Sequence, residues 1–424
     1  MTKVDAAVIG AGPGGLAVAA MLRERGVDVL VLERADSVGA SWRGHYDRLH
    51  LHTVRWLSHL PGLKIPRRNG RWVSRDGVVD YLERYARHHD LDVRLGVAVD
   101  RIERDGDGWR LLTAGDREPI DARNVVVATG YNHTPFMPDF PGKDGFEGEL
   151  VHAARYRNAQ PYRGRDVLVV GSGNTGAEIA VDLVEGGASR VRLAVRTPPN
   201  IAPRESGGIP TQIVGVTMRH VPPRIADMAL GPFQRMMVGD LTRYGMPRPT
   251  RGLYTRVAED DVIPILDVGL IDALKGGHVE VVGALVGFEG RDAILAGRKR
   301  IQPEVVIVAT GGYPDTGVVA EGEQLLTSSW DVLSQTPTAG RKVLIYDDHG
   351  GEQALTAAER LATSGVAVEL VTPDRMIGAE VTGTLYPDYL RVLYSQGVVA
   401  TPDHELRSVR RSNGNLIATL VNAY

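Results

Sequence analysis

Two glycine clusters in this 424-residue sequence have the spacing needed to hold phosphate: Gly10-Ala11-Gly12-Pro13-Gly14-Gly15 and Gly171-Ser172-Gly173-Asn174-Thr175-Gly176. In a GxGxxG turn the first glycine permits the bend. The second lets backbone approach a pyrophosphate, and the third lets helix and strand pack closely. The helix that follows offers free N–H groups and the positive end of its dipole. With 50 glycines in the chain, spacing alone arises by chance, so the flanking residues must decide. After the first cluster Glu33 ends the next apolar run, at the distance where a carboxylate accepts a ribose hydroxyl. After the second cluster that place holds Arg196, whose guanidinium would bind a 2′-phosphate that a carboxylate repels. The second site is therefore expected to take NADPH; the plainer reading of Arg196 is a surface arginine.

The elements that must position these clusters are legible as two βαβ units. The first reads as a strand from Val4 to Ile9, a helix from about Gly14 to Arg25 and a strand from Val27 to Leu32. The second reads as a strand from Val167 to Val170, a helix from Thr175 to Glu185 and a strand from Arg190 to Val195. Between them, Asp92 to Leu112 alternates apolar and polar residues around a Gly-Asp-Gly turn, the pattern of antiparallel hairpins. Two buried-type strands end in small residues, Val125 to Ala128-Thr129-Gly130 and Val305 to Thr310-Gly311, where backbone could lie against a cofactor or the strand could merely end. Residues 204–262 turn helical and Met/Leu-rich, the expected place of a substrate pocket or subunit contact. A third βαβ-like stretch spans Lys342 to Val371; Asp347 and Asp348 sit in its turn, so it is expected to be structural, because like charges repel phosphate.

Composition narrows the function. A chain with 43% hydrophobic residues at this length can bury a large core and divide into two or three domains. A net charge of -3 provides no basic field for nucleic acid or an anionic membrane surface. No run approaches a spanning helix and the start shows no signal-peptide pattern, so a cytoplasmic protein is expected. The sequence has no cysteine, which removes redox disulfides and thiolate nucleophiles. No histidine and carboxylate spacing suggests a metal site, and His88-His89 reads as solvent-facing.

The segment Phe146-Glu-Gly148-Glu-Leu-Val-His152-Ala-Ala-Arg-Tyr156 resembles the FxGxxxHxxxY fingerprint of flavin-containing monooxygenases, within them the YUCCA-like branch. Supporting matches are Gly39-Ala-Ser41-Trp42, Tyr46 through His50-Leu-His52, Pro135, Pro138 and Pro141-Gly142, Pro203-Arg204, and Leu266 to Gly269. The resemblance covers residues 1 to about 315. It implies an α/β fold with two Rossmann-like, three-layer domains, the NADPH domain inserted in the FAD domain. The expected boundaries are 1–158 for the first part of the FAD domain, 159–296 for the NADPH domain with its helical insert, and 297–424 for the return and the tail.

The same resemblance implies FAD at Gly10, Gly12, Pro13, Gly14 and Gly15, with Glu33, Arg34, Ser41, Trp42, Thr53, Val99, Ala128, Thr129 and Gly130 beside it. It implies NADPH at Gly171, Ser172, Gly173, Asn174, Thr175 and Gly176, with Arg196, Arg204, Thr310 and Gly311. His52 stands where many members carry an asparagine near the flavin; it is read as the catalytic candidate, hydrogen-bonding flavin or NADP⁺, or else as a histidine packed in a loop. His152 is read as a linker residue. The implied cycle reduces flavin with NADPH, adds O₂ to give a C4a-hydroperoxyflavin and oxygenates a small organic substrate by heteroatom oxygenation, Baeyer–Villiger insertion or oxidative decarboxylation of a 2-oxo acid. The protein's tasks are then to orient two cofactors and exclude water.

After Gly311 the pattern changes. The tail, with Val343 to Gly351, Val371 to Arg375 and Tyr386 to Tyr389, resembles the nucleotide-binding end of 2,4-dienoyl-CoA reductase and trimethylamine dehydrogenase-type flavoproteins. An NADPH dehydrogenase or diaphorase, or an uncoupled NADPH oxidase, is the alternative enzyme. A non-catalytic nucleotide-binding module is the alternative from another class, and a homodimer is the expected assembly.

Overall fold

The structure is a computed structural model. It describes residues 2–114, 118–130, 135, 137–218, 221–259, 262–310, 321–322, 325–334, 342–348, 350–379, 381, 386–412 and 414–422. The chain divides into two compact units, Met1–Gly312 and Tyr313–Tyr424.

In the first unit, β1 (Thr2–Ile9), α1 (Pro13–Arg23) and β2 (Val29–Leu32) form the expected βαβ motif, with β1 and β2 parallel. Val29, Val31 and Leu32 are almost fully buried, the continuous apolar run that a parallel strand covered on both faces requires. Helix α2 (Arg75–His88), started by the Ser74 side chain accepting from Gly77 N–H, packs Val78, Tyr81, Leu82 and Tyr85 against one face of the sheet. It is followed by β3 (Asp92–Arg94), β4 (Val99–Asp105), β5 (Gly108–Thr113) and β6 (Ile120–Val127). The sheet order is β3-β2-β1-β6-β5-β4. The hairpin expectation holds for β4 and β5, which are antiparallel. It fails for Asp92–Arg94, which lies parallel to β2 at the sheet's edge.

A second sheet repeats the plan with β7 (Glu149–His152), β8 (Asp166–Val170), α3 (Asn174–Glu185) and β9 (Arg190–Val195). The helical stretch follows as α4 (Thr211–Met218), α5 (Pro223–Val238) and α6 (Leu253–Glu259). Then come β10 (Val279–Gly283), the antiparallel β11 (Leu285–Glu289), β12 (Asp292–Leu295) and β13 (Arg300–Ile301), and β14 (Val305–Val308). The second sheet runs β10-β9-β8-β14-β7. Both β7, placed in the first domain, and β14, placed after a return at residue 297, hydrogen-bond within the second sheet. No later strand among the described residues joins the first sheet.

The second unit contains the third βαβ motif: β15 (Lys342–Tyr346), α7 (Glu352–Thr363) and β16 (Ala367–Val371), with α8 (Tyr386–Ser395) and β17 (Val399–Thr401) extending a parallel sheet. An antiparallel pair, β18 (His404–Ser412) and β19 (Asn415–Asn422), follows. Asp347 is buried, and its Oδ1 accepts the Gly350 N–H at 3.0 Å. A carboxylate thus takes a turn amide that a phosphate would need, which agrees with a structural role for this motif.

Candidate dinucleotide sites

The two glycine turns are built alike, and each glycine has the role its position demands. Gly10 and Gly171 adopt φ of +109° and +116°, a region L side chains rarely enter. A Cβ on Gly10 would collide with the Ala128 carbonyl, and one on Gly171 with the Ala309 carbonyl. Cβ atoms on Gly15 and Gly176 would strike the carbonyl oxygens of Gly10 and Gly171. The middle glycines differ: nothing lies within 4 Å of a Cβ built on Gly12, Gly14 or Gly173. The space above them is the cradle a pyrophosphate needs. Helices α1 and α3 start there with no side-chain cap and no acidic residue in the first turn, leaving N–H groups and the positive dipole end for an anion. These residues fit FAD at the first turn and NADPH at the second.

Around the first turn, Glu33 Oε2 accepts the Ala11 N–H at 2.8 Å and Oε1 accepts the Ala35 N–H at 2.9 Å. Each oxygen keeps a lone pair for a ribose hydroxyl. Gly39 N–H donates to the Ala11 carbonyl, which brings the helical turn of Ser41 and Trp42 beside the glycines. The Ala128 N–H donates to Ile9, placing Thr129 and Gly130 over the same turn. Val99 packs in the apolar layer behind it, and Arg34 is exposed. The Thr53 hydroxyl pairs with that of Ser58 at 2.6 Å.

At the second turn, Ser172 Oγ donates to the Thr197 carbonyl at 3.4 Å, tying the turn to the exit of β9. Arg196 stands at that exit, exposed and with no carboxylate partner among the described residues. Asn174 opens α3. Its Nδ2 donates to Pro264 and its Oδ1 accepts the Leu266 N–H, which fixes the side chain against the segment before residue 267. Arg204 lies 4.7 Å over the Trp72 ring, and burial pulls its guanidinium below the usual arginine range. Thr310 is exposed at the end of β14; Gly311 lies outside the described residues.

His52 lies in a bend between elements and approaches α3 rather than a glycine turn. Its Nε2 lies 2.8 Å from Glu178 Oε1, and Glu178 is only 3% exposed, two residues beyond Gly176. Tyr46 joins them, hydrogen-bonding Glu178 and Thr175; burial and the neighbouring carboxylate push its phenol far up. Sequence reading missed Glu178, although a carboxylate between Ala177 and Ile179 on a buried helix face was a visible signal. The pair His88-His89 was read as solvent-facing, yet the His89 side chain is 8% exposed and packs 4.4 Å from the Tyr85 ring.

The fingerprint residues fasten the linker to the second sheet. Phe146 lies 4.6 Å from the Phe288 ring, and a Cβ on Gly148 would strike Phe146. His152 Nδ1 accepts the Ala154 N–H at 3.1 Å, and buried Tyr156 donates to Asp182 on α3.

Residues 7–207 match the family model described as pyridine nucleotide-disulphide oxidoreductase. The chain is 37% identical over 310 residues to indole-3-pyruvate monooxygenase YUCCA1 of Oryza sativa subsp. japonica, spanning 72% of this chain and 76% of that protein. It is 33% identical over 380 residues to the probable indole-3-pyruvate monooxygenase YUCCA9 of Arabidopsis thaliana, spanning 88% of each. The chain belongs to the YUCCA-type flavin monooxygenases. Solved structures agree on the fold. A flavin-containing monooxygenase from Stenotrophomonas maltophilia matches with TM-score 0.57 at 22% identity, over 74% of this chain and 80% of that one. An NADP⁺-bound cyclohexanone monooxygenase from Rhodococcus matches with TM-score 0.56 at 23% identity, over 73% and 71%. As a YUCCA-type enzyme the chain is an FAD- and NADPH-dependent oxidoreductase that oxygenates a small organic substrate with O₂. Its lack of cysteine separates it from the disulphide chemistry in the family model's description. No helix among the described residues is long and apolar enough to cross a membrane.

Proposed function

We propose that this YUCCA-type enzyme oxidatively decarboxylates a 2-oxo acid with an aromatic side chain, of the indole-3-pyruvate class. The observation that carries the reading is the 37% identity to a relative so named, over a region that includes both cradles. The balanced reaction consumes the 2-oxo acid, O₂, NADPH and a proton, and yields the shortened carboxylic acid, CO₂, NADP⁺ and water. Bound FAD supplies the hydride acceptance and O₂ activation.

The chain's own residues do the rest. Gly12, Pro13 and Gly14 with the start of α1 hold the FAD pyrophosphate, and Glu33 takes the ribose. Trp42 and Ser41 cover the flavin side of that turn. Gly173, the α3 N-terminus and Ser172 hold the NADPH pyrophosphate, while Arg196 and Arg204 take its remaining anionic and polar groups. His52, beside Glu178 on α3, is assigned to keep nicotinamide and flavin in register and exclude water. The domain reading is an FAD-binding part in the first sheet and an NADPH-binding part in the second. A homodimer contact is assigned to α5, whose Ile225, Met228, Phe233 and Met236 are exposed. A cytoplasmic setting fits a cysteine-free NADPH enzyme. The test is incubation with aromatic 2-oxo acids under ¹⁸O₂. Labelled carboxylic acid supports the reading, while oxygenation of thioethers or ketones alone would replace it.

A further inference from the structure

Part of the first βαβ region is fastened to the start of the helical stretch. Leu51 N–H donates to Val73 and Arg55 N–H to Arg71, which ties two segments of the chain together. Val54 N–H donates to Gln212 Oε1, and Arg71 Nη1 reaches Glu205 Oε2 and the Gly208 carbonyl. These contacts bring Trp72 against Arg204, whose guanidinium carbon lies 4.7 Å from the ring centre. Arg204 is half-buried, and among the described residues its guanidinium makes no hydrogen bond and no ion pair. The carboxylates nearest to it are engaged elsewhere. Glu205 holds Arg71, Asp267 accepts the Ile271 N–H at 2.9 Å, and Glu178 lies against Tyr46 and His52.

An indole face attracts a cation but has no lone pair to offer, so the guanidinium donors stay without an acceptor. Burial of a charge in that state is costly, and it pulls the group below the usual arginine range. An anion meets both needs, and a carboxylate matches the guanidinium fork with two parallel hydrogen bonds. The surroundings narrow the choice of anion. Trp56 and Leu57 follow Arg55, Ile209 follows Gly208, and Val216 lies one turn along α4 from Gln212. All four are large apolar side chains between 42% and 56% exposed, and apolar surface gathered in this way marks a binding groove. A phosphate is polar on every side, whereas an aromatic 2-oxo acid has one charged end and an apolar body. We propose that Arg204, held over Trp72, binds the carboxylate of the aromatic 2-oxo acid, whose ring lies on the apolar side chains of residues 56–57 and 209–216. This rests on the 2-oxo acid reading. The guanidinium carries several N–H donors, so the edge given to the carboxylate leaves another for a nucleotide oxygen. Trp72 is a positioning residue that acts through Arg204.

The test is calorimetric titration of the oxidised, FAD-loaded enzyme saturated with NADP⁺. The probes are 3-phenylpropanoate, which has a carboxylate and a ring but no 2-oxo group, and its neutral counterpart 3-phenylpropanamide. The native enzyme should bind the carboxylate at least about tenfold more tightly than the amide; equal binding overturns the proposal before any variant is made. Arg204→Met should weaken the carboxylate about tenfold or more and leave the amide unchanged. Arg204→Lys, which keeps the charge but not the fork, should lose part of that affinity, and it stands in if the methionine variant sheds FAD. Trp72→Leu should weaken the carboxylate about threefold, Trp72→Phe should restore it, and Trp72→Leu added to Arg204→Met should change nothing further. Equal losses for the two probes, an unchanged carboxylate affinity, or a loss confined to NADP⁺ overturns the assignment. No turnover is read, so failure of the 2-oxo acid reading shows separately, as native enzyme that binds the carboxylate yet forms no labelled acid under ¹⁸O₂.

Discussion

Tyr156, the last residue of the fingerprint, donates its phenolic hydrogen to Asp182 Oδ2 at 2.5 Å. Tyr156 is 1% exposed and stacks on Tyr162, while Arg48 approaches the other Asp182 oxygen at 3.7 Å. A motif recognised by spacing is thus a tether from the linker to the helix that opens the second cradle. Tyr156→Phe should cost about 1.5–3 kcal/mol, the usual range for a hydrogen bond to a charged group. Urea unfolding would measure it, with FAD content unchanged. A loss under about 0.5 kcal/mol would leave the tether without energetic weight.

The middle and outer glycines should separate in their effects. Gly12→Ala meets open space in the protein and has an ordinary φ of -81°, so it should fold while losing FAD and its yellow colour. Gly15→Ala would strike the Gly10 carbonyl and should lower the melting temperature as well. The FAD-to-protein ratio and the melting curve decide. Stoichiometric FAD in Gly12→Ala would move the site elsewhere.

At the second cradle, Arg196→Ala should raise the KM for NADPH about tenfold or more and leave that for NADH nearly unchanged, because it removes a charge-assisted contact to the 2′-phosphate alone. Equal changes for both cofactors would remove that role from Arg196.

His45 provides a pH dependence. Burial, assisted by Arg157 and Arg75, holds its imidazole below the ordinary value of 6.5. Below 6.5 the unfolded chain binds a proton that the folded chain resists, so stability falls as pH falls through that window. His45→Gln should flatten the decline in melting temperature there. An unchanged profile would assign it to other groups.

The residues that could be read in advance are those whose roles are local. Gly15 and Gly176 are held by the carbonyls of Gly10 and Gly171 within the same turn, Gly10 and Gly171 have their own positive φ, and Arg196 directly follows a strand as its spacing predicts. What escaped depends on long-range pairing. The β14 run reads as a buried strand from its residues, but only its partners β7 and β8 show which sheet it enters. Asp92–Arg94 alternates like a hairpin strand, yet parallel pairing with β2 wins. The side-chain partners of Asn174, Pro264 and Leu266, lie 90 and 92 residues away in the chain, beyond the reach of a local motif. Burial of Glu178 could be suspected from its apolar neighbours, but its proximity to His52, which comes from a segment far earlier in the chain, could not.

The central claim is oxygenation coupled to NADPH oxidation, and its most direct measurement is a stoichiometry under ¹⁸O₂. NADPH oxidised, hydrogen peroxide formed, CO₂ released and ¹⁸O in the carboxylic acid would be counted together, with an aromatic 2-oxo acid as substrate. One CO₂ and one labelled oxygen atom in the acid per NADPH, with little peroxide, is the predicted result. NADPH consumption matched by peroxide, with the 2-oxo acid returned unlabelled and intact, would contradict it.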